Sequence, residues 1–146
     1  MFTGEYRHYL DDKSRVILPA KMRKELRRIS KSSKAILSKG FDGCLFLSSH
    51  ENWERYVEEI NKMRDLQKEI RSIKRHFTSA AFESAIDKQG RLLIPQILKD
   101  FGKIKSEVVM IGVFDRIEIW DPKLWKVASS NVDIEKIAET LSGKIV

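Results

Sequence analysis

Residues Asp11 to Glu25 read DDKSRVILPAKMRKE, and Asp87 to Phe101 read DKQGRLLIPQILKDF, with Asp, Arg and Pro at matching places 76 positions apart. In each stretch an Asp stands four residues before an Arg, three aliphatic residues follow, and a Pro opens a segment with helical spacing. The chain is two copies of one small unit, and a repeat of this kind constrains the fold more than any local propensity does. Further on, Gly40 to Leu47 (GFDGCLFL) corresponds to Gly112 to Trp120 (GVFDRIEIW), and the offset falls to about 73. The first copy therefore carries a small insertion, assigned to the polar run Ser30-Lys31-Ser32-Ser33-Lys34 as a loop between helix and strand.

Each copy spans only about 45 residues, too short to bury a sufficient core alone. Two such copies are expected to share one core related by a pseudo-twofold axis. Tyr6 to Leu10 and Arg15 to Leu18 read as short strands around the turn Asp11-Asp12-Lys13-Ser14; Phe82 to Ile86 and Arg91 to Ile94 repeat them around Asp87-Lys88-Gln89-Gly90. Acidic and small polar residues suit such turns because their side chains bond the local backbone. Gly90 accepts positive φ freely, whereas Ser14 at the same place implies mild strain or a different turn. Pro19 and Pro95 end the strands and suit a helix start. Strands resume at 35–37, 44–47, 108–111 and 117–120. Between the copies, Glu51 to Phe77 places Trp53, Tyr56, Val57, Ile60, Met63, Leu66, Ile70, Ile73 and Phe77 at three-to-four spacing, which predicts one long or once-broken amphipathic helix. Short helices follow Asp121-Pro122 and an Asp133 cap. The expected fold is α+β with a mainly β core, divided as 5–52 (first repeat), 53–80 (connecting helix), 81–125 (second repeat) and 126–146 (C-terminal helix).

Net charge is +7, and its distribution is informative: residues 1–76 hold 18 Lys and Arg against 11 Asp and Glu, whereas 77–146 hold 10 of each. From Lys13 to Lys39 the only acid is Glu25. A field of one sign in one copy suggests a polyanionic partner. The ordinary explanation for each Asp-xxx-Arg is an ion pair across the base of a turn, and it suffices for Asp87 with Arg91. Arg15 has Lys13 in its own turn and Lys21 and Arg23 just beyond its strand. A planar, permanently charged fork held by Asp11 suits phosphate or the guanine edge.

Catalytic patterns are missing. His8, His50 and His76 have no metal-ligand spacing, the single Cys44 sits in an apolar strand, and no glycine-rich phosphate loop is present. Asp11 and Asp12 read as turn formers. The expectation is a protein without enzymatic activity, cofactor, metal or small-molecule substrate. No run approaches the roughly 18 apolar residues of a membrane span, and MFTGEYRHYL lacks a signal-peptide core, which predicts a cytoplasmic protein.

The doubled pattern LDDKSRVILPAKMRKEL, GFDGCLFL and NWERY, then IDKQGRLLIPQILKDF with GVFDRIEIWDPKLW, resembles the MraZ family of bacterial transcriptional regulators over about Glu5 to Trp125. That resemblance implies two SpoVT-AbrB units interlocked as one swapped-hairpin, double-psi-like barrel. It also implies a ring-shaped homo-oligomer, associated with the nucleoid, that binds direct repeats of double-stranded DNA upstream of the division and cell wall gene cluster. The family's motif residues fall on Asp11 and Arg15, and on Asp87 and Arg91. The family commonly has Gly where this chain has Ser14, which leaves the shape of that turn open. The resulting expectation is a DNA-binding regulator, a repressor, contacting DNA through Lys13, Arg15, Lys21 and Arg23, with Arg15 reading bases and the lysines holding phosphates. The alternative is an antitoxin-like module of the same fold, whose helices 51–77 and 133–141 bind another protein.

Overall fold

The computed structural model describes residues 1–30, 32 and 34–144. Among them are eight strands and six helices. The first unit gives β1 (Glu5–Tyr9), β2 (Arg15–Ile17), α1 (Ala20–Ile29), β3 (Lys34–Lys39) and β4 (Leu45–Ser49), and the second gives β5 (Phe82–Ala85), β6 (Arg91–Leu93), α4 (Gln96–Gly102), β7 (Glu107–Val113) and β8 (Arg116–Trp120). Between them lie α2 (His50–Asn61) and α3 (Lys68–Thr78), and after them α5 (Pro122–Ser130) and α6 (Ile134–Thr140).

Both units contribute to every layer. A six-stranded antiparallel sheet runs β1-β7-β8-β4-β3-β5, and a separate two-stranded ladder joins β2 to β6. Reading outward from the central β8-β4 pair, each step on one side meets its repeat-related strand on the other. Although one turn joins β1 to β2, the two strands hydrogen-bond to different partners, β7 and β6, and both partners belong to the other copy. The registers obey the same symmetry: Tyr6 faces Met110 while its counterpart Phe82 faces Leu37.

The core follows from that exchange. Val16, Leu18 and Met22 are related by 76 positions to Leu92, Ile94 and Leu98, and all six are at most 1% exposed within one cluster. On the other face of the sheet, Cys44, Phe46, Val109 and Trp120 pack with Trp53, Ile60, Ile73 and Phe77 of the connecting helices and with Leu124 and Trp125 of α5. Strands covered on both faces become continuously apolar, as in Ala35-Ile36-Leu37 and Leu45-Phe46-Leu47.

Of the two forms expected for Glu51 to Phe77, one long helix or a once-broken one, the structure has the second, and the expected place of the insertion is revised. The segment from Glu51 to Phe77 is broken, with α2 ending at Asn61 and α3 starting at Lys68. An unbroken helix of that length would run about 40 Å, and the break lets both halves pack on the sheet. Lys74 stabilises the reversal by donating to Asp65 at 2.5 Å and to the Met63 carbonyl at 3.2 Å. The insertion, in turn, does not lie in the Ser30–Lys34 run, of which residues 31 and 33 lie outside the described set. α1 has 10 residues and α4 has 7, so the offset of 76 at the helix starts, Ala20 and Gln96, has already fallen to 73 at the helix ends, Ile29 and Gly102. Three added residues are nearly one helical turn. They extend the inward stripe from Met22 and Leu26 to Ile29 without rotating it off the core.

Candidate nucleic-acid interface

The Asp-xxx-Arg turn is built by its own aspartate. Asp11 Oδ1 accepts the backbone N–H groups of Lys13 and Arg15, both at 2.9 Å, and Oδ2 accepts Arg15 Nε at 2.8 Å. The Ser14 N–H closes the turn onto the Asp11 carbonyl at 3.1 Å. Asp87 repeats this with Gln89 N–H and Arg91 N–H at 2.9 Å and Arg91 Nε at 2.7 Å. Ser14 adopts φ 60° where Gly90 has 80°, so the serine accepts left-handed strain and the two turns share one shape.

Only Nε of each guanidinium is committed. Among the described residues the Nη groups of Arg15 and Arg91 have no hydrogen-bond partner. Alternation along the ladder sends Val16 and Leu92 inward and leaves Arg15, Ile17, Arg91 and Leu93 on the outer face. Arg15 faces Leu93 across the ladder and Ile17 faces Arg91. The two arginines are therefore diagonal neighbours on one small surface, with Cα atoms about 7–8 Å apart for such a pair. Ile17 and Leu93, 46% and 51% exposed, lie between them as an apolar strip.

The carboxylates fix these arginines electrostatically as well as sterically. The Arg15 backbone N–H, reinforced by the Arg15 guanidinium and the Lys13 N–H, holds the Asp11 carboxyl below its ordinary value. The Arg91 N–H, with the Arg91 guanidinium and Gln89 N–H, does the same for Asp87. Both groups bind protons less readily folded than unfolded, so their contribution is complete above the usual aspartate pKa near 3.9 and is lost as pH falls through the depressed values. Urea unfolding from pH 7 down to pH 3 is expected to show stability declining below about pH 4. The same series on an Asp11→Asn, Asp87→Asn variant should have a flatter acid limb; identical limbs would refute the role of these turns.

The four residues expected on DNA are not gathered at one turn. Lys13 and Arg15 share the first. Arg23 extends instead to the second, donating from Nη1 to the Gln89 carbonyl at 3.3 Å. Its repeat-related residue, Lys99, does the converse and donates to Ser14 Oγ of the first turn at 2.8 Å. Lys21 lines a different cleft with Met1, Phe2, Lys24 and Arg28. Charge that is segregated along the sequence is thus interleaved in space. Lys99, Arg91 and Lys88 were missed as members of this surface, although the 76-residue offset places Lys99 at the position of Arg23.

The exchange also explains why the two turns differ at one position. A Cβ on Gly90 would lie 1.7 Å from Arg23 Nη1 and 2.7 Å from its Cδ, so the arginine occupies the space a side chain would need. Ser14 has that side chain and meets a slimmer lysine. Gly90→Ser is expected to lower stability by about 1–3 kcal/mol through strain at positive φ and displacement of Arg23. Adding Arg23→Lys should recover part of the loss by reproducing the Ser14–Lys99 pair, and a double-mutant cycle on thermal unfolding measures the coupling.

Nothing at this surface resembles catalytic machinery. Among the described residues no group of three or more His, Cys, Asp and Glu side chains could hold a metal ion. Burial pushes the Cys44 thiol up, away from thiolate formation. Among the described residues no helix is long and apolar enough to cross a membrane.

What the fold and the surface define is a two-unit α+β protein with a basic face shared by both repeats. A family model described as "MraZ protein, putative antitoxin-like" matches residues 1–76 and again 77–143. The chain belongs to the MraZ family. It is 43% identical to the transcriptional regulator MraZ of Thermoanaerobacter sp. (strain X514), over 97% of this chain and 96% of the relative. It is likewise 43% identical to that of Clostridium tetani, over 97% of each chain. The Caldicellulosiruptor saccharolyticus protein of the same name is 42% identical over 97% of this chain and 96% of its own length.

Proposed function

We propose that this chain is a sequence-specific DNA-binding transcriptional regulator, a repressor, that binds direct repeats upstream of the division and cell wall genes as a ring-shaped homo-oligomer. It acts in the cytoplasm at the nucleoid. In this reading the β2-β6 ladder and the six-stranded sheet close as one swapped-hairpin barrel with segments 5–52, 53–80, 81–125 and 126–146 in the roles assigned from the sequence. Arg15 reads a base edge, Lys13 and Lys21 hold phosphates, and Arg23 joins them from above the second turn. The observation that carries the reading is the Asp11 carboxylate: it immobilises Arg15 through Nε and leaves its Nη fork open on an exposed face beside Arg91. An arginine so held loses little freedom on forming two parallel bonds.

A single ladder offers few contacts, so avidity from several subunits on spaced repeats supplies the rest. Fluorescence anisotropy on the DNA upstream of its own gene and on a shuffled duplex, across a salt series, tests the reading. The expected result is tighter binding to the natural sequence and affinity falling steeply with salt. Equal affinity for both duplexes would sink it.

One observation favours a second reading, the antitoxin-like protein-interaction module. Val127, Val132, Ile134, Ile137 and Leu141 leave α5 and α6 with an exposed apolar surface, and α6 buries no residue. Deleting 133–146 separates the two. Operator affinity that survives deletion favours the regulator, and loss of the main activity favours the module.

A further inference from the structure

We infer that the groove between α1 and the second turn is a track for the DNA sugar-phosphate backbone, a role that rests on the DNA-binding reading. The groove has a volume of about 370 Å³ and is lined by Arg23 and Arg27 of the first copy, and by Lys88, Gln89 and Gly90 of the second, with Lys34 at β3. No single repeat contains it.

Its charge is available to a ligand. Asp87, the acid in its wall, has both oxygens occupied by three donors of its own turn. Lys34 is paired with Glu83 at 2.7 Å. Arg23, Arg27 and Lys88 remain, and among the described residues none of them has a carboxylate partner; the bond made by Arg23 is to the Gln89 carbonyl. Three uncompensated cations around a solvent-open concavity match a run of phosphates and carry no sequence preference. Arg23 ties the groove to the turn that presents Arg91. A duplex held there has its base edges over the ladder that carries Arg15.

The pseudo-twofold axis supplies an internal comparison. At the corresponding place by the first turn, Lys88 is replaced by Asp12, and the Lys34–Glu83 pair by Glu107 and Arg7 with the charges exchanged. The barrel symmetry is kept while the charge is not. The groove is therefore polar in the sense that it distinguishes the two ends of the ladder, and it gives an otherwise near-symmetric reading face one direction on the duplex. A directional face suits direct repeats better than inverted ones.

The test uses the full-length chain and two variants, Arg27→Ala with Lys88→Ala, and Lys88→Asp, which imports the residue already accommodated at the other turn. Circular dichroism melts verify folding. Binding to the upstream duplex and to the shuffled duplex is followed across a salt series. The expected result is that the double variant loses up to about 2 units of the slope of log K against log salt, equally on both duplexes, with the ratio of their affinities unchanged. Lys88→Asp, which adds a repelling carboxylate as well as removing a cation, should weaken binding to both duplexes. A steep slope in the parent protein that neither variant reduces overturns the groove alone, as does a loss confined to the upstream duplex. A parent protein that binds neither duplex overturns the DNA reading and the groove with it.

Discussion

Arg15→Ala is expected to abolish the preference for the upstream duplex over a shuffled one, a loss of roughly 5- to 150-fold in the affinity ratio for one bidentate contact at about 1–3 kcal/mol. Residual, salt-sensitive binding should persist through the remaining cations. Only Nε of Arg15 is used in the fold, and Asp11 keeps its bonds to two backbone N–H groups when the guanidinium is removed. The turn should therefore survive. The measurement is anisotropy on both duplexes with size-exclusion chromatography alongside. A variant that retains full discrimination would remove Arg15 from the reading surface; one that discriminates no longer but also loses its assembly state would mean a structural role. Arg15→Lys is the sharper form. Charge is kept and the planar fork is lost, so phosphate affinity should hold while discrimination falls.

Cutting the chain between the repeats is expected to leave neither half folded. In residues 1–76 alone, β1 would lose β7 and β2 would lose β6, their ladder partners. Leu18, Val16 and Met22 would face water in place of Leu92, Ile94 and Leu98. Exposing even one such side chain costs about 2 kcal/mol, against a total stability on the order of 5–15 kcal/mol. Circular dichroism of the isolated halves should show little fixed structure, and mixing them should restore the sheet signal. A half that melts cooperatively on its own would contradict the shared core.

Much of this was legible in the sequence because it is local. The Asp-xxx-Arg turns form through bonds spanning two and four residues, and the strands and helix starts beside them carry their own punctuation. Three features were not legible. The added length of the first copy lies within α1, whereas the polar run Ser30–Lys34 that follows it resembled an inserted loop. The equal shape of the two turns was obscured by Ser14, whose backbone takes φ 60° where sequence preference favours glycine. The charge count separated the copies, although α1 of one lies over the turn of the other.

By itself, the sequence determined that there are two copies, that each carries an aspartate-fixed arginine, and that one copy holds the excess positive charge. Each of these depends on residues near one another along the chain. The tertiary structure alone decided which cations meet at which turn. Pairing of β2 with β6 brings Arg23 to Gln89 and Lys99 to Ser14 across 66 and 85 positions. Contacts at that separation are set by a shared core that neither copy can form alone, so the basic face belongs to the pair of units and not to the first.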